Sequence, residues 1–294
     1  EVFDREMHAA NINLLQIETD LRRALSRNEF EVFYQPIVNM ETNRCHEFEA
    51  LIRWKHPVHG YVPPKEIISV AEESGLIIPI GQWILEEACK QTRIWQKNLP
   101  GFKDLSISVN LSAKQLMHPT LLGQLEEILQ TTGLKSQFLK LEVTESTVIE
   151  RSETALAVLS QIRALGISLS MDDFGTGYSS LSYLHQFPFE RLKIDRSFVE
   201  KMDHDPKSEA IVRTILLLGK NLNMEVVAEG IESSRQLELL RVLDCVLGQG
   251  FLFSRPFNAI DAEKFLIERA ITVEEISQTV YDLPANLLEV PNIQ

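Results

Sequence analysis

Hydrophobic residues along most of the chain form two patterns, short apolar runs typical of strands and longer amphipathic runs typical of helices. Eight segments are predicted to be strands: Glu31–Val38, His46–Trp54, Leu105–Leu111, Phe138–Thr144, Ser168–Asp173, Arg191–Asp195, Glu225–Ala228 and Leu247–Phe253. Helices between them are predicted from flanking proline and glycine residues, including Pro64 to Gly75, Pro119 to Gly133, Ser152 to Gly166 and Pro206 to Leu222. Eight such alternations within about 250 residues are typical of an α/β fold, a TIM-like (β/α)8 barrel.

The two ends of the chain differ from this alternation. Apolar residues recur in steps of three and four from Asp4 to Leu25, which predicts an N-terminal helix that either docks onto the barrel or pairs between chains. Asn39–Arg44, between the first two strands, is too short for a crossover helix, so the first strand is predicted to be antiparallel. We therefore divide the chain into a helix and linker over 1–28, a barrel over 29–270 and a surface or disordered tail over 271–294.

Composition narrows the classes of partner. The chain has 42 acidic and 29 basic side chains and a net charge of -13, which disfavours long nucleic acids and anionic membranes and favours cations. No run of about 18 apolar residues predicts a membrane segment, and the first residues lack a signal-peptide pattern, so a cytoplasmic location is expected. The three cysteines have no C-x-x-C spacing and indicate neither disulfides nor a thiolate metal site.

Polar residues close nearly every predicted strand. Because the carboxyl ends of barrel strands face one site, these residues are candidates for chemistry. They are Glu49, Arg53, Asn110, Glu142, Glu145, Asp172, Asp173, Lys193, Asp195, Glu229, Glu232 and Gln249. A single strand-end acid is more often a solvated loop residue or a helix N-cap. Many carboxylates on one face would repel one another without cations, and a donor set of oxygens favours Mg²⁺ or Mn²⁺ over Zn²⁺.

Two features of this set suggest a two-metal site. Adjacent Asp172 and Asp173 are suited to ligate two ions about 4 Å apart, a spacing that supports attack of water on a phosphodiester. The alternative for this pair is an Asx-turn at the start of a loop. Lys193 lies within an apolar strand and is predicted to orient or deprotonate the attacking water, with its pKa lowered by the metals. Its simpler alternative is a salt bridge to Asp195 or to a glutamate.

The motifs FEALIRW, SVNLS, LEVTES, DDFGTGYSSL, LKIDRSFV, AEGIE and GQGF occur in this order from about Phe30 to Ala270. In order and spacing they resemble those of the EAL-type cyclic di-GMP phosphodiesterases, and the motif that names the family stands at Glu49-Ala50-Leu51. The family's barrel has an antiparallel first strand. The N-terminal helix is similar to the closing stretch of a GGDEF domain, so the resemblance implies the cytosolic C-terminal part of a longer bacterial signalling protein, which in some cases is membrane-bound.

The resemblance implies hydrolysis of cyclic di-GMP to linear pGpG with Mg²⁺ or Mn²⁺, two ions per site, and inhibition by Ca²⁺. It places the ligands of one metal at Glu49, Asn110, Glu142 and Asp172, and those of the second at Asp172, Asp173 and Glu229. The catalytic residues implied are Lys193, which holds the nucleophilic water, with Glu49, Gln249 and Glu145, the last ordering the loop after the aspartates.

The substrate contacts implied by the resemblance are Gln35, Leu51, Arg53 and Asp195, and the family also implies a homodimer through a face near Asp172–Leu181. No metal or catalytic position departs from the family pattern, so an active enzyme is expected. One alternative is a catalytically weak receptor for cyclic di-GMP. The other is a barrel enzyme of a different family that stabilises an enolate with Mg²⁺.

Overall fold

Nine strands lie in one sheet, and eight of them close into a barrel. The structure, a computed structural model, describes residues 17–150, 152–176, 184 and 186–269. Its strands are β1 Phe30–Asn39, β2 Cys45–His56, β3 Gly60–Val62, β4 Ser106–Asn110, β5 Leu139–Thr144, β6 Ser168–Phe174, β7 Arg191–Ile194, β8 Glu225–Ala228 and β9 Leu247–Gly248. Around the barrel the order is β1, β9, β8, β7, β6, β5, β4 and β2, with β1 and β2 also paired. The predicted TIM-like α/β barrel is confirmed.

The first strand has the predicted opposite direction. β1 is antiparallel to both β2 and β9, whereas the other barrel strands are mutually parallel. The reversal is made in the short turn after β1, where the side chain of Asn39 accepts hydrogen bonds from the backbone N–H groups of Glu41 and Thr42. Such a turn replaces the crossover helix that a parallel connection would need.

Two details of the sheet differ from the sequence prediction. β3 is a three-residue strand that pairs antiparallel with the last residues of β2, and it is too short for a periodic pattern. The predicted strand Leu247–Phe253 ends at Gly248. At Gly250 the chain approaches the backbone of Ile231 so closely that a Cβ atom would lie 2.1 Å from the Ile231 carbonyl oxygen. This close contact accompanies a turn, which the apolar run did not reveal.

Helices surround the barrel, and their predicted ends are largely confirmed. They are α1 over 17–24, α2 Pro64–Ser74, α3 Ile77–Asn98, α4 Ala113–Leu116, α5 Leu121–Thr132, α6 Glu145–Glu150, α7 Ser152–Ala164, α8 Arg196–Val199, α9 Pro206–Leu222, α10 Ser234–Val242 and α11 over 259–269. Gly75 ends α2 in the left-handed region at φ 76°, as expected for a helix C-terminus. Within the described ranges, no helix has the length and apolar character needed to cross a bilayer.

The N-terminal helix docks onto the barrel along its described part. Leu21 and Ala24 are buried in a second hydrophobic cluster that includes Phe30, Trp54 and Ile67. Docking, one of the two predicted alternatives, is therefore observed for 17–24, while residues 1–16 lie outside the described part. The predicted tail 271–294 also lies outside it, so the proposed division of the chain stays a prediction.

Candidate active site

The predicted strand-end residues meet inside one end of the barrel. Alternate side chains of a strand face the same side, so every second residue of a barrel strand points into the barrel interior. Glu49 lies in the middle of β2, whereas Asn110, Glu142, Asp172 and Lys193 lie at or near the ends of β4, β5, β6 and β7. Glu229 and Gln249 follow directly after β8 and β9. This end is the carboxyl end of the parallel strands, where barrel enzymes place their chemistry.

Lys193 lies at the centre of this set. Its side chain is 1% exposed, and its Nζ atom lies 2.5 Å from Glu142 Oε2 and 2.6 Å from Glu229 Oε1. The same atom lies 3.2 Å from Asp172 Oδ1 and 3.5 Å from Glu49 Oε2. Burial lowers the pKa of Lys193, but the four carboxylates outweigh burial and hold its pKa well above the usual value. The lowered pKa expected from the sequence applies only when cations compensate these carboxylates.

One ammonium group does not compensate four carboxylates. Burial, followed by the neighbouring acids, raises the pKa of Glu142 well above its usual value despite the attraction of Lys193. Burial and the charges of Asp172 and Glu49 likewise raise the pKa of Glu229 to about 8. Crowded acids of this kind favour added positive charge over further negative charge.

Asp172 and Asp173 both face the site because β6 is irregular. Between Met171 and Phe174 the register with β7 shifts, so that the two aspartates stand opposite the single residue Lys193. Asp173 has a left-handed backbone at φ 53°, which is uncommon outside glycine. Oxygen atoms of Asp172, Asp173 and Glu229 consequently lie within 4.8 Å of one another, a spacing that could hold a metal ion. This arrangement is a β-bulge that redirects a side chain.

Two amides hold the carboxylate of Glu49. Asn110 Nδ2 donates to Glu49 Oε1 at 2.8 Å, and Gln249 Nε2 donates to Glu49 Oε2 at 2.7 Å. The Gln249 Nε2 atom also donates to Gln35 Oε1 at 3.1 Å. These contacts fix the orientation of the carboxylate that begins the EAL motif.

Two buried oxygen atoms of the site have no hydrogen-bond partner within the described residues, Glu142 Oε1 and Gln249 Oε1. Buried polar atoms are nearly always satisfied, so an unsatisfied pair in one site calls for an explanation. Carboxylate and amide oxygens are the ligands that hard divalent cations prefer. The residues present therefore fit such a cation.

Two neighbouring cavities open beside this cluster. One, of about 290 Å³, is lined by Gln35, Glu49, Leu51, Arg53, Asp172, Lys193, Arg196, Glu229, Gly230, Glu232, Gln249, Gly250, Phe251 and Pro256. The other, of about 430 Å³, is mainly apolar and reaches Asn110 and Glu142. Leu51 and Arg53, two of the four predicted substrate contacts, line both cavities and therefore stand between them.

Sequence reasoning gave no role to three residues that line the smaller cavity, Arg196, Glu232 and Phe251. Glu232 was among the strand-end acids, while Arg196 and Phe251 stand inside the motifs LKIDRSFV and GQGF. The guanidinium of Arg255 lies over the Phe251 ring, 4.2 Å from its centre. Position within a motif was thus the only available signal.

Asp195 and Glu145 lie next to the site and act on its backbone. Asp195 caps α8, where its Oδ1 atom accepts from the Ser197 N–H at 3.0 Å, and it is not among the residues lining either cavity. The structure thus places it as a helix N-cap, the alternative weighed for single strand-end acids. Buried Glu145 accepts a hydrogen bond from the Gly175 N–H at 3.2 Å, directly after the aspartate pair.

Comparison with known proteins identifies the family of this chain. The EAL domain family model matches residues 18–256. The chain is 44% identical over 257 residues to the bifunctional diguanylate cyclase/cyclic di-GMP phosphodiesterase MucR of Pseudomonas aeruginosa, covering 87% of this chain and 37% of MucR. It is 38% identical to the cyclic di-GMP phosphodiesterase PdeR of Escherichia coli, covering 90% of this chain and 39% of PdeR. The chain thus spans less than half the length of these relatives.

Two solved structures are also similar to this chain. The MucR phosphodiesterase in complex with cyclic di-GMP is 44% identical, with a TM-score of 0.81, and the match covers 84% of this chain and 99% of that one. The EAL enzyme Bd1971 in its cGMP-bound form is 40% identical, with a TM-score of 0.84, over 89% of this chain and 72% of that one. Given the match over most of its length, the chain belongs to the EAL domain family.

Proposed function

We propose that this chain is a metal-dependent phosphodiesterase that hydrolyses one phosphodiester bond of cyclic di-GMP to give linear pGpG. The observation that carries the proposal is the buried cluster of four carboxylates around Lys193, where Glu142 Oε1 and the neighbouring Gln249 Oε1 have no hydrogen-bond partner among the described residues. The relatives named as cyclic di-GMP phosphodiesterases support this substrate.

We propose Mg²⁺ or Mn²⁺ as the cations and Ca²⁺ as an inhibitor. Glu49, Asn110, Glu142 and Asp172 would hold one ion, and Asp172, Asp173 and Glu229 the second. When bound, the two ions would supply the positive charge that activates a water and stabilises the departing oxygen. The larger and looser coordination sphere of Ca²⁺ would misplace that water.

The protein's own groups would orient the reaction. Lys193 donates up to three hydrogen bonds from a fixed position and would hold the attacking water. Gln249 holds the Glu49 carboxylate, and Glu145 holds the backbone at Gly175, so both would preserve the geometry of the site. These contacts are the basis for proposing Lys193, Glu49, Gln249 and Glu145 as the catalytic set.

Substrate would lie across the two cavities. Their sizes, about 290 and 430 Å³, suit two nucleotide units joined at the position of Leu51 and Arg53. The planar guanidinium of Arg53 is suited to a phosphate group. Gln35 would contact the substrate from β1, and Asp195 would contact it from the position directly after β7, where it also caps α8.

The remaining proposals concern the larger assembly. We propose a cytoplasmic homodimer that contacts through the face near Asp172–Leu181, although residues 177–183 lie outside the described part. The bond between Glu145 and Gly175 would connect such a face to the aspartate pair. Residues 1–28 would be the linker from a preceding domain, 29–270 the phosphodiesterase barrel and 271–294 a tail.

The test is incubation of the chain with cyclic di-GMP and Mg²⁺ or Mn²⁺, with pGpG measured by chromatography. Hydrolysis should be lost in Glu49→Ala, retained in Glu86→Ala, an exposed residue on α3, and absent in Ca²⁺. Binding of cyclic di-GMP without pGpG would favour the alternative, a catalytically weak receptor. Equal turnover by Glu49→Ala would exclude the proposed metal site.

A further inference from the structure

A second polar layer lies beneath the catalytic residues inside the barrel. Side chains two residues apart on a strand face the same side. Each catalytic residue on a strand is therefore preceded, two positions earlier, by another residue that faces the barrel interior. Five of these lower residues are polar: Glu47, Ser108, Lys140, Ser170 and Arg191. They precede Glu49, Asn110, Glu142, Asp172 and Lys193, respectively. We call them the lower layer.

Glu47 bonds three of the other four residues of this layer, Ser108, Lys140 and Arg191. Its carboxylate is 3% exposed and accepts a hydrogen bond from Arg191 Nη1 at 2.5 Å, and Arg191 is equally buried. Lys140 Nζ lies 2.5 Å from Glu47 Oε2, and Ser108 Oγ donates to Glu47 Oε1, the oxygen that Arg191 also contacts, at 2.5 Å. Arg191 also pairs with exposed Glu225 at 2.8 Å. A buried carboxylate with three donors is fully held in place.

These bonds connect strands that are not neighbours. β2, β5 and β7 are separated by other strands in the sheet order, so the bonds of Glu47 to Lys140 and Arg191 cross the barrel interior. The catalytic layer connects the same three strands, because Lys193 on β7 contacts Glu142 on β5 and Glu49 on β2. The lower layer therefore fixes the relative positions of β2, β5 and β7, and the next inward-facing residues of these strands belong to the proposed metal site.

We propose that Glu47, through Arg191 and Lys140, is a positioning residue that sets where Lys193 stands relative to Glu49 and Glu142. The proposal rests on the proposed phosphodiesterase function. Loss of the Glu47 bonds would let β7 shift against β2, and two residues further along β7 this shift becomes a displacement of Lys193.

The experiment compares Glu47→Gln and Ser108→Ala with Leu125→Ala, which removes a buried side chain of α5 that does not belong to the layer. For each variant we would measure thermal stability, Mn²⁺ affinity by electron paramagnetic resonance, and kcat and KM for cyclic di-GMP. A crystal structure of metal-free Glu47→Gln would give the distance from Lys193 Nζ to Glu142 Oε2, which is 2.5 Å in the native site.

Supporting residues of metal sites typically contribute about 10- to 100-fold, so Glu47→Gln should lower Mn²⁺ affinity and kcat in that range while KM changes by less than about threefold. Ser108→Ala should show the same pattern with a smaller loss. Leu125→Ala should be destabilised but keep kcat and Mn²⁺ affinity. If Glu47→Gln does not fold, the kcat and Mn²⁺ affinity of Ser108→Ala test the positioning role instead.

Unchanged kcat and Mn²⁺ affinity in a folded Glu47→Gln, or an equal loss of both in Leu125→Ala, would overturn the positioning role. Absence of cyclic di-GMP hydrolysis by the native protein would instead overturn the proposed function. The metal-free structure separates the two cases, because an unmoved Lys193 in Glu47→Gln contradicts the positioning role whatever the activity.

Discussion

Asp172 and Asp173 are consecutive residues of β6, yet carboxylate oxygens of both lie within 4.8 Å of each other. In a regular strand consecutive side chains point to opposite faces. The left-handed backbone at Asp173 and the register shift against β7 bring both side chains to the site. The crowding also has an electrostatic effect, since burial and the charges of Asp172 and Asp195 raise the pKa of Asp173 to about 6.

The backbone at Asp173 leads to a first prediction. Asn tolerates the left-handed region, so Asp173→Asn should fold with nearly native stability and lose hydrolysis by about 100-fold or more through loss of a metal ligand. Asp173→Val should in addition lose about 1 to 3 kcal/mol of stability, because a β-branched residue is strained at φ 53°. Urea denaturation and pGpG formation measure the two effects. Equal stability of both variants would contradict this account of the bulge.

The second prediction concerns Lys193. Replacing it with Met leaves four neighbouring carboxylates without their shared ammonium, which should cost about 3 to 5 kcal/mol in chelator. Added Mg²⁺ should then raise the melting temperature of Lys193→Met more than that of the native protein, because the cation replaces the missing charge. Calorimetric melting with and without Mg²⁺ measures this difference. An equal shift in both proteins would argue against a cation site among these acids.

The third prediction is a pH dependence of stability that arises at Glu47. Burial alone would raise the pKa of Glu47, but Arg191 and Lys140 lower it to about 2. A lowered folded-state pKa contributes stability that is present above the unfolded-state value, near 4.5, and is lost as pH falls towards 2. The contribution is on the order of 3 kcal/mol at neutral pH.

Glu47→Gln lacks this titration. The difference in unfolding free energy between the native protein and Glu47→Gln should therefore be large at neutral pH and shrink between pH 4.5 and 2. Chemical denaturation across this range measures it. A difference that stays constant with pH would show that Glu47 does not titrate with the expected low pKa.

The fourth prediction concerns the three cysteines. Cys45, Cys89 and Cys245 are buried, and burial raises the pKa of each thiol to about 12. Because the thiolate is the reactive form, native protein near neutral pH should react only slowly with alkylating reagents. The three thiols should react together after denaturation. Rapid labelling of one cysteine in the native protein would reveal local opening at that position.

Much of the fold was predictable because its signals are local. The short Asn39–Arg44 connection required an antiparallel β1, and proline and glycine marked the ends of α2. The predicted set of strand-end acids also converges as expected, since parallel strands place their ends at one edge of the barrel. Sequence patterns did not reveal β3 or the early end of β9, where short length and the contact of Gly250 with Ile231 decide the structure.

The sequence by itself determined the eight strands of the barrel, the direction of β1 and the oxygen donors that reach the carboxyl end of the barrel, because periodicity and connection length act along the chain. Only the tertiary structure decided which contacts each of these side chains makes. Asp195 caps α8, whereas Lys193 pairs with four acids rather than with Asp195. The cross-barrel bonds of Glu47 were likewise invisible in the sequence, because they join residues that are 61 to 144 positions apart. Such contacts depend on how strands are arranged in space, which no local pattern specifies.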